Sequence, residues 1–258
     1  MRFLSVLLIG LLTAAAPAMA QQAQPKNKTK HVTFAPSLGG KCITQQLTGS
    51  NFVKWNLKKA HCAGAVLANA NLHGVQAQET DFTGIIAPRA KFVEANVSNA
   101  KFGDADLQGA NLHGAEANGA DFTKADLQSA IFIEAKLIGA ILHDADASGM
   151  HGQSADFSGG NLTGTRFDGA HLQSASFDGA VLENTKFRGA FLHDASFRDA
   201  RLIAADLSAS LGYKSAIFDG ACISQDTRLP RDLELPICAD LIEQDEPISL
   251  LSGLETEP

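Results

Sequence analysis

Few side chains in this 258-residue chain could do chemistry, and those that could fall into three sets. Four cysteines stand at Cys42, Cys62, Cys222 and Cys238, without the C-x-x-C spacing of a thiolate metal site. Eight histidines, His31, His61, His73, His113, His143, His151, His171 and His193, are scattered along the chain. His151 and His171 lie twenty residues apart and could share a metal ion through neutral imidazoles. Two ligands alone make a weak site, so solvated surface histidine is expected, with no metal and no cofactor. The third set is acidic: Asp106, Asp126 and Asp146 are also spaced by twenty, with Asp104 and Asp144 two residues ahead of the first and last. Such a cluster suits a basic partner or a cation. Serine and aspartate are otherwise outward filler, no nucleophile and base converge on a pocket, and enzyme activity is not expected.

The start of the chain sets the redox context for the thiols. Arg2, the apolar run Phe3 to Leu12 and the triplet Ala18-Met19-Ala20 read as a secretory signal peptide, residues 1–20, cleaved after Ala20. A periplasmic or secreted protein is expected, and its four cysteines are read first as disulfides. No later run is long and apolar enough to span a bilayer, so membrane insertion is not expected, and neither is nucleic-acid binding. Residues 21–40, with Lys26, Lys28 and Lys30 and two prolines, read as a flexible leader.

The element that must position every other side chain is a repeat. From Leu47 to Leu207 the chain divides into 33 pentads, 26 of them centred on Leu or Phe and 23 with Ala two places earlier. A period of five fits neither a helix nor a continuous strand, so the chain must turn in every pentad. Two residues after the centre stands Gly in 14 pentads and Asn or Asp in 7, the types that tolerate positive φ, so corners are expected there. This is the signature of a solenoid. Where the centre is small, at Ala77, Ala87 and Gly152, the residue two places earlier has become large, Val75, Ile85 and Met150, as a densely packed interior requires.

Tandem pentads such as Ala120-Asp121-Phe122-Thr123-Lys124, Ala125-Asp126-Leu127-Gln128-Ser129 and Ala170-His171-Leu172-Gln173-Ser174 resemble the pentapeptide-repeat proteins. The resemblance implies an all-β fold, a right-handed quadrilateral β-helix of about nine coils with four pentads to a coil, centres and preceding alanines pointing inward. Residues twenty apart then stack in columns. Cys42 and Cys62, both at centre positions, would close the first coil, leaving Cys222 to pair with Cys238. Phe82, Phe102 and Phe122 would form one inward stack, Phe157, Phe177 and Phe197 another, and Leu142, Leu162, Leu182 and Leu202 a third. The three aspartates would share one outward column.

The repeat is expected over 41–225. An extra residue within Ser210 to Ser215 throws Ile217-Phe218 and Cys222-Ile223 out of phase, and a C-terminal cap and acidic tail are expected over 226–258, with a short helix near Cys238 to Gln244. Two outward features remain. Ile131, Ile133, Ile138 and Ile141 surround a single coil as a candidate interface, and Val181, Phe191 and Ile203 form a looser apolar group. The expected function is that of an exported, non-enzymatic structural or protein-interaction rod, bound to an unidentified protein partner or to itself. The alternative that the resemblance implies is a DNA mimic acting on a topoisomerase such as DNA gyrase.

Overall fold

A computed structural model describes residue 42 and residues 46–242 of the protein. The expected signal peptide, the leader and residues 243–258 of the acidic tail lie outside the described residues. From Gln46 onward the chain forms parallel bridges at a constant offset of twenty, Gln46↔Val66, Asn51↔Asn71, Asn56↔Gln76 and His61↔Asp81 being the first four. Four pentads therefore make one coil, and neighbouring coils sit at the usual strand separation of about 4.8 Å.

Backbone hydrogen bonding explains the period. In the pentad centred on Leu72, the Leu72 N–H donates to Lys91 O (2.7 Å), Gly74 N–H to Val93 O (2.8 Å) and Gln76 N–H back to Trp55 O (2.8 Å), all between coils. Val75 N–H, the first of the next pentad, donates to Leu72 O (3.1 Å) and closes the turn that joins the two. One N–H per pentad, that of the residue after the centre, has no backbone acceptor, and His73 N–H turns instead to Asn71 Oδ1 (3.2 Å).

The turn requires positive φ two residues after the centre. The corner expected from glycine and asparagine is there, but residue type does not decide it: Lys54, Glu79, Arg89 and Ser174 adopt φ of 56–59° as well. Each non-glycine corner costs about 1–2 kcal/mol, offset because its N–H reaches the next coil, as Glu79 N–H does at Ser98 O (2.9 Å).

Inside, the expected columns form. Phe82, Phe102 and Phe122 stack with centroids 5.0 and 4.9 Å apart. Phe157, Phe177 and Phe197 stack at 5.1 and 4.9 Å. Rings from adjoining sides meet these edge-on, as Phe167 does Phe177 at 5.8 Å. The Leu142, Leu162, Leu182 and Leu202 column is fully buried, as are the compensating Val75, Ile85 and Met150. Each such side chain contributes roughly 1.5–3 kcal/mol. Thr80, Thr165 and Thr185 replace the inward alanine without an orphan hydroxyl, donating to Leu57 O, Leu142 O and Leu162 O at 2.7, 2.7 and 2.9 Å.

The register change is absorbed by a 3-10 turn at Tyr213–Ser215, after which offsets grow to 21 at Ser196↔Ile217 and 22 at Asp206↔Arg228. Strand β1 (Arg201–Leu202) pairs in parallel with β2 (Cys222–Ile223). The chain then returns under the last coil, where Ile223 bridges Ile237 and Leu229 and Leu235 pack on the core. A single helical turn, α1 (Ala239–Ile242), is pinned by a bidentate Arg201–Asp240 pair at 3.2 and 2.9 Å. Cys42 meets Cys62 with Cα atoms 4.4 Å apart, and Cys222 meets Cys238 at 4.8 Å, both within disulfide range.

Candidate interaction faces

Because the centre and the preceding alanine point inward, each pentad offers solvent only the residues flanking the centre and the corner. Reading every twentieth residue therefore gives four faces, and two of them differ sharply.

The charged face has its centres at Leu107, Leu127, Ala147, Phe167, Phe187 and Leu207. Before the centres stand Asp106, Asp126, Asp146, Arg166, Lys186 and Asp206, bridged in that order, with Asp168 and Arg188 after two of them. The three aspartates of the candidate acidic column are thus adjacent, but each has a local task. Asp106, Asp126 and Asp146 accept through Oδ1 from the N–H groups of Gln108, Gln128 and Ser148 at 3.1, 3.1 and 3.0 Å. These are the N–H groups that no backbone carbonyl serves. Asp126 Oδ2 also takes Gln108 Nε2 (2.5 Å), and Asp146 pairs with Arg166 (3.1 Å). Further along, Arg188 holds Asp168 at 2.9 Å and Arg166 reaches it at 3.6 Å. Partial burial alone would raise the Asp168 carboxyl, but the hydrogen bond and charge of Arg188, supported by Arg166, outweigh it and hold the group below its ordinary range. Asp104 and Asp144 lie at corners beside this face with φ of 55 and 56°, and Asp144 pairs with His143 at 3.3 Å.

The histidine face has its centres at Leu72, Phe92, Leu112, Phe132, Gly152, Leu172 and Leu192. Its flanking positions carry one formal charge, Lys91, and five of the chain's histidines: His73, His113, His151, His171 and His193. Asn51, Asn71 and Asn111 cap the following N–H groups as the aspartates do. Beyond Asn111 the column becomes Ile131, His151, His171, Phe191 and Leu211 in unbroken bridging order. His151 and His171 are parallel to within 6° with centroids 5.0 Å apart, and Phe191 continues the stack at 4.8 Å. The ladder ends beside a concavity of about 350 Å³ lined by His193, Leu211, Gly212 and Tyr213. A Cβ at Gly212 would collide with the His193 ring, and its φ of 74° already favours glycine.

The four isoleucines of the candidate interface divide among faces. Ile131 and Ile133 flank Phe132 on the histidine face, half-buried; Ile138, 48% exposed, lies on the next face and Ile141, 37% exposed, on the one after. They ring one coil, so a flat partner meets at most two of them squarely. The looser apolar group separates as well: Val181 bridges Asn161 and Arg201 on another face, whereas Phe191 belongs to the ladder. Sequence reading missed two exposed apolar residues, Ile86 and Leu211, each 46% exposed. A twenty-residue stride would have found Leu211, since it continues the Phe191 column. Among the described residues no three His, Cys, Asp or Glu side chains group closely enough to hold a metal ion, and no helix is long and apolar enough to cross a membrane.

The pentapeptide repeats family profile matches this chain in eight copies, over residues 46–84, 90–128, 130–169, 165–202 and 175–210. No curated protein sequence matches it. Among solved structures it is similar to HetL, a pentapeptide repeat protein involved in heterocyst differentiation regulation in the cyanobacterium Nostoc sp. strain PCC 7120, with 27% identity over 74% of this chain and 90% of that one, TM-score 0.45. It is also similar to full-length QnrB1, a plasmid-mediated fluoroquinolone resistance protein, at 16% identity over 72% and 92% of the two chains, TM-score 0.32. A pentapeptide repeat protein of the Arabidopsis thaliana thylakoid lumen shares 29% identity over 43% of this chain and 63% of that one, TM-score 0.24.

Proposed function

Because the chain belongs to the pentapeptide-repeat family, with the right-handed β-helix of that family, we propose that it is an exported, non-enzymatic rod that binds a protein partner through its sides, chiefly the histidine face. The observation that supports this is the loss of charge along the Ile131–Leu211 column and its replacement by an apolar and aromatic ladder. Burying such a surface gains free energy against any fitting partner, whereas exposed charge is screened by salt. A DNA mimic directed at a topoisomerase such as DNA gyrase would need continuous negative charge. The acidic column instead gives way to Arg166 and Lys186, and its aspartates are engaged in the turns.

Ile131→Asn combined with Ile133→Ser tests the docking surface. Asn at 131 takes the capping role that Asn111 plays one coil earlier, so the melting temperature should hardly move. Partner capture by cross-linking from periplasmic extract, or self-association in sedimentation, should fall; an unchanged captured set would exclude this face. Export is tested by the intact mass of the purified protein: a chain beginning at Gln21 and carrying two disulfides is expected, and one retaining Met1 would remove the compartment.

A further inference from the structure

Beyond Lys91 the positions flanking the centres of the histidine face hold no Lys, Arg, Asp or Glu as far as Tyr213, and the side chains there complement their own reverse order. We propose that this face docks on a second copy of the chain, with the two sets of coils antiparallel and related by a two-fold axis through His171. The proposal rests on the reading of the histidine face as the docking side, and it names the partner.

A two-fold axis makes an interface self-complementary: where residue i meets residue j, j also meets i. An axis at His171 sets His151 against Phe191 of the second copy and, one coil further out, Ile131 against Leu211. In the column after the centres Ile133 then faces Tyr213, Gln153 faces His193, and Gln173 meets its own counterpart. The concavity of about 350 Å³ beside His193, Leu211 and Tyr213 thereby lies opposite Ile131 and Ile133 of the second copy, so aliphatic side chains meet an apolar hollow. Tyr213 is already fixed in place, its Oη donating to Asp232 of the cap. Ring planes along His151, His171 and Phe191 stay parallel to within 6° and 16°, so the column twists little over these coils, as two faces laid flat together require.

The corners select the same register. Along one edge of the face Gly149, Gly169 and Gly189 occupy three successive coils and put no side chain in the way of a second copy. Along the other, Glu134 and Asp194 are exposed carboxylates without an ion pair among the described residues. The axis at His171 brings Glu134 opposite Lys214, which Asp232 holds at 2.7 Å, and Asp194 opposite the hydroxyl of Ser154. Sliding one copy by a coil toward its partner's N-terminal side would instead oppose Glu134 to Asp194, and like charges set face to face disfavour a wrong register. A parallel pairing would cover Lys91 with Val93 and leave Glu134 facing Ser129 in place of a cation. The overlap runs over five coils, Ile131 to Leu211. At about 4.8 Å per coil it is smaller than the roughly 800 Å² per partner of a stable complex, so the dimer is a weak one that forms at micromolar concentration and is lost on dilution.

Sedimentation velocity of the purified protein over a micromolar to millimolar series tests this. A reversible passage from monomer to dimer and no further is expected, because a closed two-fold leaves neither histidine face free. Glu134→Lys should weaken the dimer by about tenfold at low ionic strength, and Lys214→Glu added to it should restore the affinity. Ile131→Asn with Ile133→Ser should weaken it by more than about tenfold; a dimer that survives this double change, or one indifferent to Glu134→Lys, would overturn the proposed pairing, as would growth into higher oligomers. The same variants separate this proposal from the reading beneath it. A chain that stays monomeric throughout, while the double isoleucine variant still loses captured proteins from extract, would exclude self-docking and leave the face as a docking side for a different protein. A monomer whose captured set is also unchanged would exclude both.

Discussion

The charged face and the histidine face hang on the same backbone, with the same turns, the same inter-coil hydrogen bonds and the same buried centres, yet they treat their one unserved N–H per pentad in opposite ways. On the charged face Asp106, Asp126 and Asp146 satisfy it in three consecutive coils. On the histidine face the caps stop after Asn111, and Ile131, His151, His171 and Phe191 follow. Acidity that looked like a binding surface is therefore largely part of the scaffold. A run of residues that contributes little to the scaffold is the better place to look for function.

The core should be indifferent to this difference, which gives the largest expected effect. Phe167 lies beneath the charged face and Leu172 beneath the histidine face, both fully buried. Phe167→Ala should cost about 3–5 kcal/mol and Leu172→Ala about 2–5 kcal/mol, read as loss of melting temperature. A truncation that proves mild under one face and severe under the other would show that the outer side chains, and not the stacked interior, carry stability there.

A capping exchange sharpens the comparison at about 1 kcal/mol. Asp126→Asn preserves the acceptor for Gln128 N–H and should be nearly neutral, while Asp126→Ala should cost about 1 kcal/mol. On the other face His171→Asn supplies the missing acceptor to Gln173 N–H and should stabilise the protein by up to about 1 kcal/mol. If Asp126→Asn destabilises as much as Asp126→Ala, negative charge and not capping is what the column provides. A destabilising His171→Asn would mean that the imidazole stack is itself structural.

How much of this was legible beforehand follows from where the information lies. The five-residue period, the inward columns from Phe82 to Leu202 and the turn two residues after each centre could be read because the repeat imposes them many times over. Val75, Ile85 and Met150 could be placed inside because volume must be conserved within each pentad. The aspartates could not be understood in the same way. Their role appears only when every backbone N–H is assigned an acceptor, and that assignment needs coordinates. The ladder was hidden for a different reason: Phe191 was grouped with Val181 and Ile203 by nearness in sequence, whereas its true neighbours, His171 and Leu211, are a full coil away. The cap was visible only as a change of composition; the return of Ile237 to bridge Ile223 has no repeat to announce it.

The smallest effect belongs to acid, and it separates the faces once more. Asp168, held by Arg188 and Arg166, has its carboxyl below the ordinary range, so the folded protein keeps this group ionised where the unfolded chain has begun to protonate it. The resulting stability is fully present above the unfolded value of about 3.9 and is lost as pH falls through the lower folded value. Asp168→Asn should therefore lower the melting temperature slightly at neutral pH, and the gap from the parent should close in strong acid. Added salt should narrow it further, because the Arg188 side chain is half-exposed. The column of Ile131, His171 and Phe191 has no carboxylate to lose, so Phe191→Ala should keep a constant gap from the parent over the same acid range. A gap at Asp168→Asn that ignores both acid and salt would mean that the Asp168 side chain acts by packing, and the contrast between a face of ion pairs and a face without carboxylates would then not extend to that coil.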